Sequence, residues 1–165
     1  MANKEKKDLS HLISNSPVEI DSMRLIEIII RIGDLIEQVF DKFYKTYKLS
    51  KPQFTALYRI YLTGEDGIAL SVLGDQMSVT RANITSLVDR MVSRGLIKRI
   101  TNENDRRSIN AVITEEGKEI LEKVLPDKEE LTSEVLNFLS GNEREHFYEL
   151  LIKVEKYLIA NYFNK

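Results

Sequence analysis

The chain has 165 residues, 42% of them hydrophobic, and a formal net charge of −2, enough for one domain with a proper apolar core or a compact domain with an extended interface. It contains no cysteine, which excludes disulfides, thiol redox sensing and cysteine–metal sites. No apolar run approaches the roughly 18 residues of a membrane span, and the polar stretch 1–16 lacks the apolar core of a signal peptide, so the expected location is the cytoplasm, with no membrane partner.

Residues 1–18 read as a flexible arm ending near Pro17. Residues 19–47 read as one long helix. Ile26, Ile29, Ile30, Gly33, Ile36, Phe40 and Phe43 mark one stripe at helical spacing, and Leu25, Ile28, Ile32, Leu35 and Val39 mark a second. A surface helix needs one apolar face; this one is apolar around most of its circumference and is expected to be buried on two sides, the second by another copy of the chain. Ser50-Lys51-Pro52-Gln53 fits a capping box with proline in the first turn. Phe54, Leu57, Tyr58, Tyr61 and Leu62 follow at helical spacing, and residues 64–67 form a turn.

A short helix is predicted from about Leu70 to Met77, its start frayed because Ala69 offers no capping hydroxyl. Thr80 is the expected N-cap of the next helix, which runs to about Arg94 on the stripe Ile84, Leu87, Val88, Met91 and Val92, with Gly95 as C-cap. Two short strands follow, near 97–101 and 108–113, joined by a charged tip with Asp105, Arg106 and Arg107. Thr114 caps a helix that should be interrupted at Pro126 and end near Leu139. Ser140-Gly141-Asn142-Glu143 is a second capping box, opening a last helix to about Tyr162 on the stripe Phe147, Leu150, Leu151, Val154 and Leu158.

Charge is unevenly spread. Residues 78–113 carry seven Lys/Arg against three Asp/Glu, a local net of +4, whereas residues 114–165 carry seven against twelve, a net of −5. A basic patch on an acidic body attracts phosphate, although a solvated charge cluster has the same composition. The outward positions of the helix after Thr80 include Arg81, Asn83, Thr85, Ser86 and Arg90. Arginine and asparagine pair with guanine and adenine edges, and hydroxyls bond phosphate or bases; an ordinary amphipathic helix would carry a similar polar face. Arg90 reads equally as a phosphate contact or an intradomain pair, and Arg94 is open in the same way.

The order of these parts removes the ambiguity. Leu70-Ser71-Val72-Leu73-Gly74-Asp75-Gln76-Met77, Val79-Thr80-Arg81-Ala82-Asn83-Ile84-Thr85, Leu87-Val88-Asp89-Arg90-Met91, Arg94-Gly95-Leu96-Ile97-Lys98-Arg99, Asp105-Arg106-Arg107 and Ile113-Thr114-Glu115-Glu116-Gly117 together resemble the multiple-antibiotic-resistance regulator (MarR) family, over roughly residues 19–162. Ser78 stands where relatives often have glycine. The resemblance implies a mainly α fold with a small β-hairpin wing: a winged helix-turn-helix domain at 49–114, flanked by N- and C-terminal dimerisation helices at 19–48 and 115–165. It implies a homodimeric transcriptional regulator, a repressor by family default, binding a pseudo-palindromic operator in double-stranded DNA. Thr80, Arg81, Asn83, Thr85, Ser86 and Arg90 would face the DNA, and Arg107, oriented by Asp105 beside Arg106, would enter a minor groove, where narrow A·T tracts concentrate negative potential. It further implies a small-molecule effector crevice, for which Phe40, Tyr44 and Tyr58 are the candidates within an aromatic concentration that includes Phe43, Tyr47, Phe54 and Tyr61; ordinary packing of these rings is the alternative.

Two rival classes are weighed against this. An enzyme needs a catalytic constellation, and the chain has two histidines, His11 and His146, with no glycine-rich phosphate loop or nucleophile–base pair; no catalytic residue, metal or cofactor is expected. A winged-helix protein–protein adaptor without DNA binding would instead present exposed apolar anchors on the second helix, where this sequence has Arg81, Asn83, Thr85 and Ser86.

Overall fold

The computed structural model describes residues 21–101 and 109–163. In the first of two units, Met1–Phe40, the described residues form the greater part of helix α1 (Ser22–Thr46). Asp21 opens it, its carboxylate accepting from the Met23 N–H at 3.2 Å. Every residue from 21 to 39 is exposed, including Leu25, Ile26, Ile29, Ile32 and Ile36.

The second unit, Asp41–Lys165, begins where α1 turns inward at Tyr44, which is buried. The chain reverses through Lys48, at φ +55°, and the Leu49 N–H returns to the Tyr44 carbonyl at 2.9 Å. Ser50 then caps helix α2 (Lys51–Leu62) through the expected box: its hydroxyl accepts from the Gln53 N–H, and its own N–H donates to the Gln53 side chain. A 3-10 turn, Gly64–Asp66, leads into a two-residue strand, β1 (Ile68–Ala69), absent from the sequence reading. This strand changes the expectation for helix α3 (Leu70–Gln76). Ala69 supplies no side-chain cap, but its backbone pairs with Asn110 in the sheet and holds that end.

Helix α4 (Arg81–Ser93) follows, with Thr80 as N-cap, then strands β2 (Ile97–Thr101) and β3 (Ile109–Ile113). The three strands form an antiparallel sheet in the order β1-β3-β2, with Arg99 opposite Ala111 and Thr101 opposite Ile109. Helix α5 (Glu115–Val135) corrects a second expectation, because it runs through Pro126 without interruption and stops short of Leu139. Proline removes one backbone donor, whereas the turns before it are anchored by buried Leu121 and Val124, and extending a helix already formed is cooperative. Helix α6 (Gly141–Leu158) opens on the second capping box, closes in a π-turn at Ile159–Phe163 and buries no residue.

The core of the second unit is assembled from every element up to α5. Leu57, Ile60, Leu73, Ile84, Val88, Met91, Leu96, Ile97, Leu121 and Val124 are fully buried, each contributing about 1.5–3 kcal/mol of transfer free energy. No polar or charged residue is buried among the described residues. None of the described helices is long and apolar enough to cross a membrane.

Two positions carry local constraints. The first turn of α5 is pressed onto the loop after α4: the Thr114 N–H donates to the Leu96 carbonyl, its hydroxyl donates to the Gly95 carbonyl and accepts from the Gly117 N–H. A side chain at Gly117 would overlap the Leu96 carbonyl and the Ile113 side chain, which explains the Thr–x–x–Gly step. Ser78, in the α3–α4 turn, has φ +53°, a left-handed conformation that disfavours any residue but glycine. Gly117→Ala is therefore expected to lower stability by about 1–3 kcal/mol and Ser78→Gly to raise it by about 0.5–1 kcal/mol. Urea unfolding at one fixed protein concentration measures both; a neutral Gly117→Ala would contradict the close approach.

Candidate nucleic-acid interface

Burial sets the rotation of α4. Ile84, Leu87, Val88 and Met91 face the core, and with 3.6 residues per turn the line farthest from them runs through Ala82, Ser86, Asp89 and Ser93, all exposed. Arg81 and Thr85 lie on one flank of that line, Asn83 and Arg90 on the other. None of the exposed large apolar side chains belongs to α4, so the anchors that a protein-binding adaptor would need here are missing.

The polar side chains on this face divide into those already engaged and those open. The Thr80 hydroxyl accepts from the Asn83 N–H at 3.3 Å as the helix cap. Thr85 donates to the Arg81 carbonyl at 2.8 Å, and Ser86 accepts from the Arg90 guanidinium at 2.9 Å. Each hydroxyl thus keeps one spare donor or acceptor function. The side chains of Arg81 and Asn83 carry no hydrogen bond among the described residues and stand open on the helix surface. Arg90 is drawn toward Ser86 on its own helix. Arg94 has a structural task, donating to the Lys48 carbonyl at 2.6 Å and to Gln53 at 3.4 Å, so it ties the end of α4 to the turn that opens α2.

Sequence reasoning missed the ion pair beside these residues. Arg99 on β2 reaches Asp89 on α4, Nη1 to Oδ1 at 2.6 Å, and joins the reading helix to the hairpin. Both residues stand in the net-basic stretch 78–113; their meeting depends on strand–helix packing that periodicity does not encode. An open cleft of about 680 Å³ lies alongside, lined by Ser71, Gly74 and Asp75 from α3, Arg81, Ile84 and Thr85 from α4, and Arg99 and Ile109 from the hairpin. Asp105, Arg106 and Arg107 fall in 102–108, outside the described residues.

The aromatic concentration proposed for an effector is a packed ladder in the second unit. Tyr44 stacks on Phe54 with centroids 4.7 Å apart, Phe54 on Tyr58 at 6.1 Å, and Phe43 meets Tyr44 and Tyr47 edge-on at 5.4 and 5.3 Å. Burial pushes the Tyr44 hydroxyl above its usual range. The Tyr47 hydroxyl donates to Asp127 on α5, which raises its pKa as well. Phe54 is covered by rings on both sides, Tyr58 stacks on one side and is otherwise exposed, and Phe40 belongs to the first unit. No group of three or more histidine or carboxylate side chains could hold a metal among the described residues.

Comparison with known proteins agrees with this geometry. The MarR family model matches residues 49–109. The chain is 30% identical over 145 residues to the HTH-type transcriptional regulator PecS of Dickeya dadantii (strain 3937), covering 87% of both chains. It is 26% identical over 148 residues to the HTH-type transcriptional repressor YetL of Bacillus subtilis (strain 168), covering 90% of this chain and 89% of that one. A mutant of MarR from E. coli, solved in complex with operator DNA, superposes with a TM-score of 0.68 at 24% identity over 84% of this chain and 99% of that one.

If Arg81 and Asn83 read base edges, Arg81→Ala and Asn83→Ala should each weaken binding to a preferred duplex by about 1–3 kcal/mol and relax the preference at particular base pairs. Thr80→Ala should act through helix stability, by about 1 kcal/mol. Titration against a panel of single-base-pair variants separates the two; loss of affinity that is uniform across the panel for Asn83→Ala would remove it from the readers.

Proposed function

The chain belongs to the MarR family of transcriptional regulators and is not an enzyme, and on that premise we propose that it is a homodimeric repressor of a pseudo-palindromic operator. The observation that carries the reading is the outward face of α4, where Arg81 and Asn83 stand open on a helix free of exposed large apolar side chains. Residues 49–114 do the DNA work in this proposal, with Thr80, Arg81, Asn83, Thr85, Ser86 and Arg90 toward the major groove and Asp105, Arg106 and Arg107 toward the adjacent minor groove.

Residues 19–48 and 115–165 make the dimer. Support comes from two apolar faces that each unit leaves uncovered. On α1, Leu25 is 50%, Ile29 42% and Ile36 38% exposed; on α6, Leu150 is 49%, Val154 42% and Leu158 42% exposed. Contiguous patches of this kind mark interfaces rather than free surface, and a second copy covers them symmetrically. A twofold dimer sets its reading helices about 34 Å apart, one turn of DNA. Repression is proposed by analogy with YetL, whose name states it, and the cytoplasm is where such a regulator meets DNA. A small-molecule effector, for which Phe40, Tyr44 and Tyr58 are the candidate contacts, releases the DNA in this proposal.

Footprinting on the DNA upstream of the chain's own gene tests the reading, with protection expected on an imperfect palindrome whose half-sites are one turn apart. Light scattering at micromolar concentration should give the mass of two chains, and a folded monomer would overturn the dimer. The wing makes a separate forecast. Arg107→Ala should weaken good and mediocre operators by similar factors and lower the salt slope by about one per subunit, because the minor groove distinguishes A·T from T·A poorly. Unchanged affinity for Arg107→Ala, with Lys98→Ala abolishing binding, would discard the wing assignment.

A further inference from the structure

A carboxylate stands in the middle of the surface that faces DNA. Asp89 lies on the outermost line of α4 with Ala82, Ser86 and Ser93, on a face that otherwise offers hydroxyls, asparagine and arginine. A bare acid at this place repels phosphate. Asp89 is not bare: Arg99 holds its Oδ1 at 2.6 Å, with the two side chains 55% and 32% exposed. The pair links α4 to β2, yet at such exposure an ion pair adds little to folding stability, so stability alone is a weak reason for an acid here.

Geometry supplies another account. Arg99 is on β2, opposite Ala111 of the central strand, so it approaches α4 from the side while the outer edge of the carboxylate stays clear of the core. A carboxylate accepts at about four lone-pair positions, and the pair engages one oxygen. Resting on the reading of α4 as the DNA-facing helix, we propose that Asp89 is a specificity-determining residue that accepts the exocyclic amine of a cytosine, with Arg99 as its positioning residue. In the correct register the carboxylate meets a donor. In a wrong register it meets phosphate or a base acceptor, and repulsion lowers the affinity. Arg99 fixes the carboxylate and offsets its charge, so that the acid discriminates without cancelling the attraction supplied by Arg81 and Arg90.

The test uses the full-length protein, a duplex selected by it from a random-sequence pool, and a scrambled duplex of the same length and composition. Asp89→Ala should reduce the ratio of selected to scrambled affinity by about tenfold, chiefly by tightening the scrambled complex. Renewed selection with that variant should lose a cytosine at one position of each half-site. Arg99→Ala should weaken binding to both duplexes, and adding Asp89→Ala to it should recover part of the loss, because the exposed charge is removed. An unchanged ratio for Asp89→Ala overturns the proposal. So does a pair whose variants lower the melting temperature together while binding stays as in the parent, the signature of a purely structural link. Failure of the parent protein to select any duplex would instead overturn the DNA-facing reading of α4, and this inference with it.

Discussion

Four side chains on one side of α4 decide what the other side offers. Ile84, Leu87, Val88 and Met91 are at most 5% exposed, packed among α2, α3 and β2. Because the angular step between helical residues is constant, burying these four sets the direction of every other side chain on the helix. A rotation that brought Arg81 or Asp89 inward would expose this stripe and bury a charge without a partner, which costs several kcal/mol per ion. The outward display of Arg81, Asn83, Ser86 and Asp89 thus follows from hydrophobic burial, without any contribution from DNA.

Backbone contacts add to core burial in holding the elements around α4. Gly117 admits the Leu96 carbonyl against the first turn of α5, and Thr114 bonds the same loop from its side chain. Arg94 does the equivalent at the opposite side, reaching the Lys48 carbonyl. The end of α4 is consequently tied to the α1–α2 turn and to the start of α5. Tyr47 and Asp127 join that same turn to α5 a second time.

Burial is distributed very unequally. Among the described residues every buried apolar side chain lies between Tyr44 and Val124, whereas α1 from residue 22 to 39 and α6 bury none. A solvated helix has no use for isoleucine at positions 26, 28, 29, 30 and 32; that excess is what the dimer proposal accounts for. Charge is uneven on a different division, with a basic excess over 78–113 and the larger acidic excess over 114–165, so that any attraction for phosphate centres on α4 and the strands after it.

Local chemistry made much of this architecture legible in advance. The boxes at Ser50–Gln53 and Ser140–Glu143 and the Thr80 and Thr114 caps rest on contacts within a few residues, written directly in the spacing of the chain, and the α4 stripe and the two short strands β2 and β3 showed in the hydrophobic pattern. The outward placement of Arg81 and Asn83 followed from the same periodicity. Tertiary structure alone decided the rest. Strand β1 exists because Ile68 and Ala69 meet Ala111 and Asn110, about forty residues away; two residues carry no pattern of their own. Pro126 stays inside α5 because packing and cooperativity outweigh one lost donor. Arg94 turned out to bind backbone at Lys48, and Arg99 to hold Asp89, because an arginine side chain reaches whatever acceptor the fold brings within a few ångströms. Sequence spacing determines which side of a helix such a residue occupies; only the packing of a distant segment determines what it meets there.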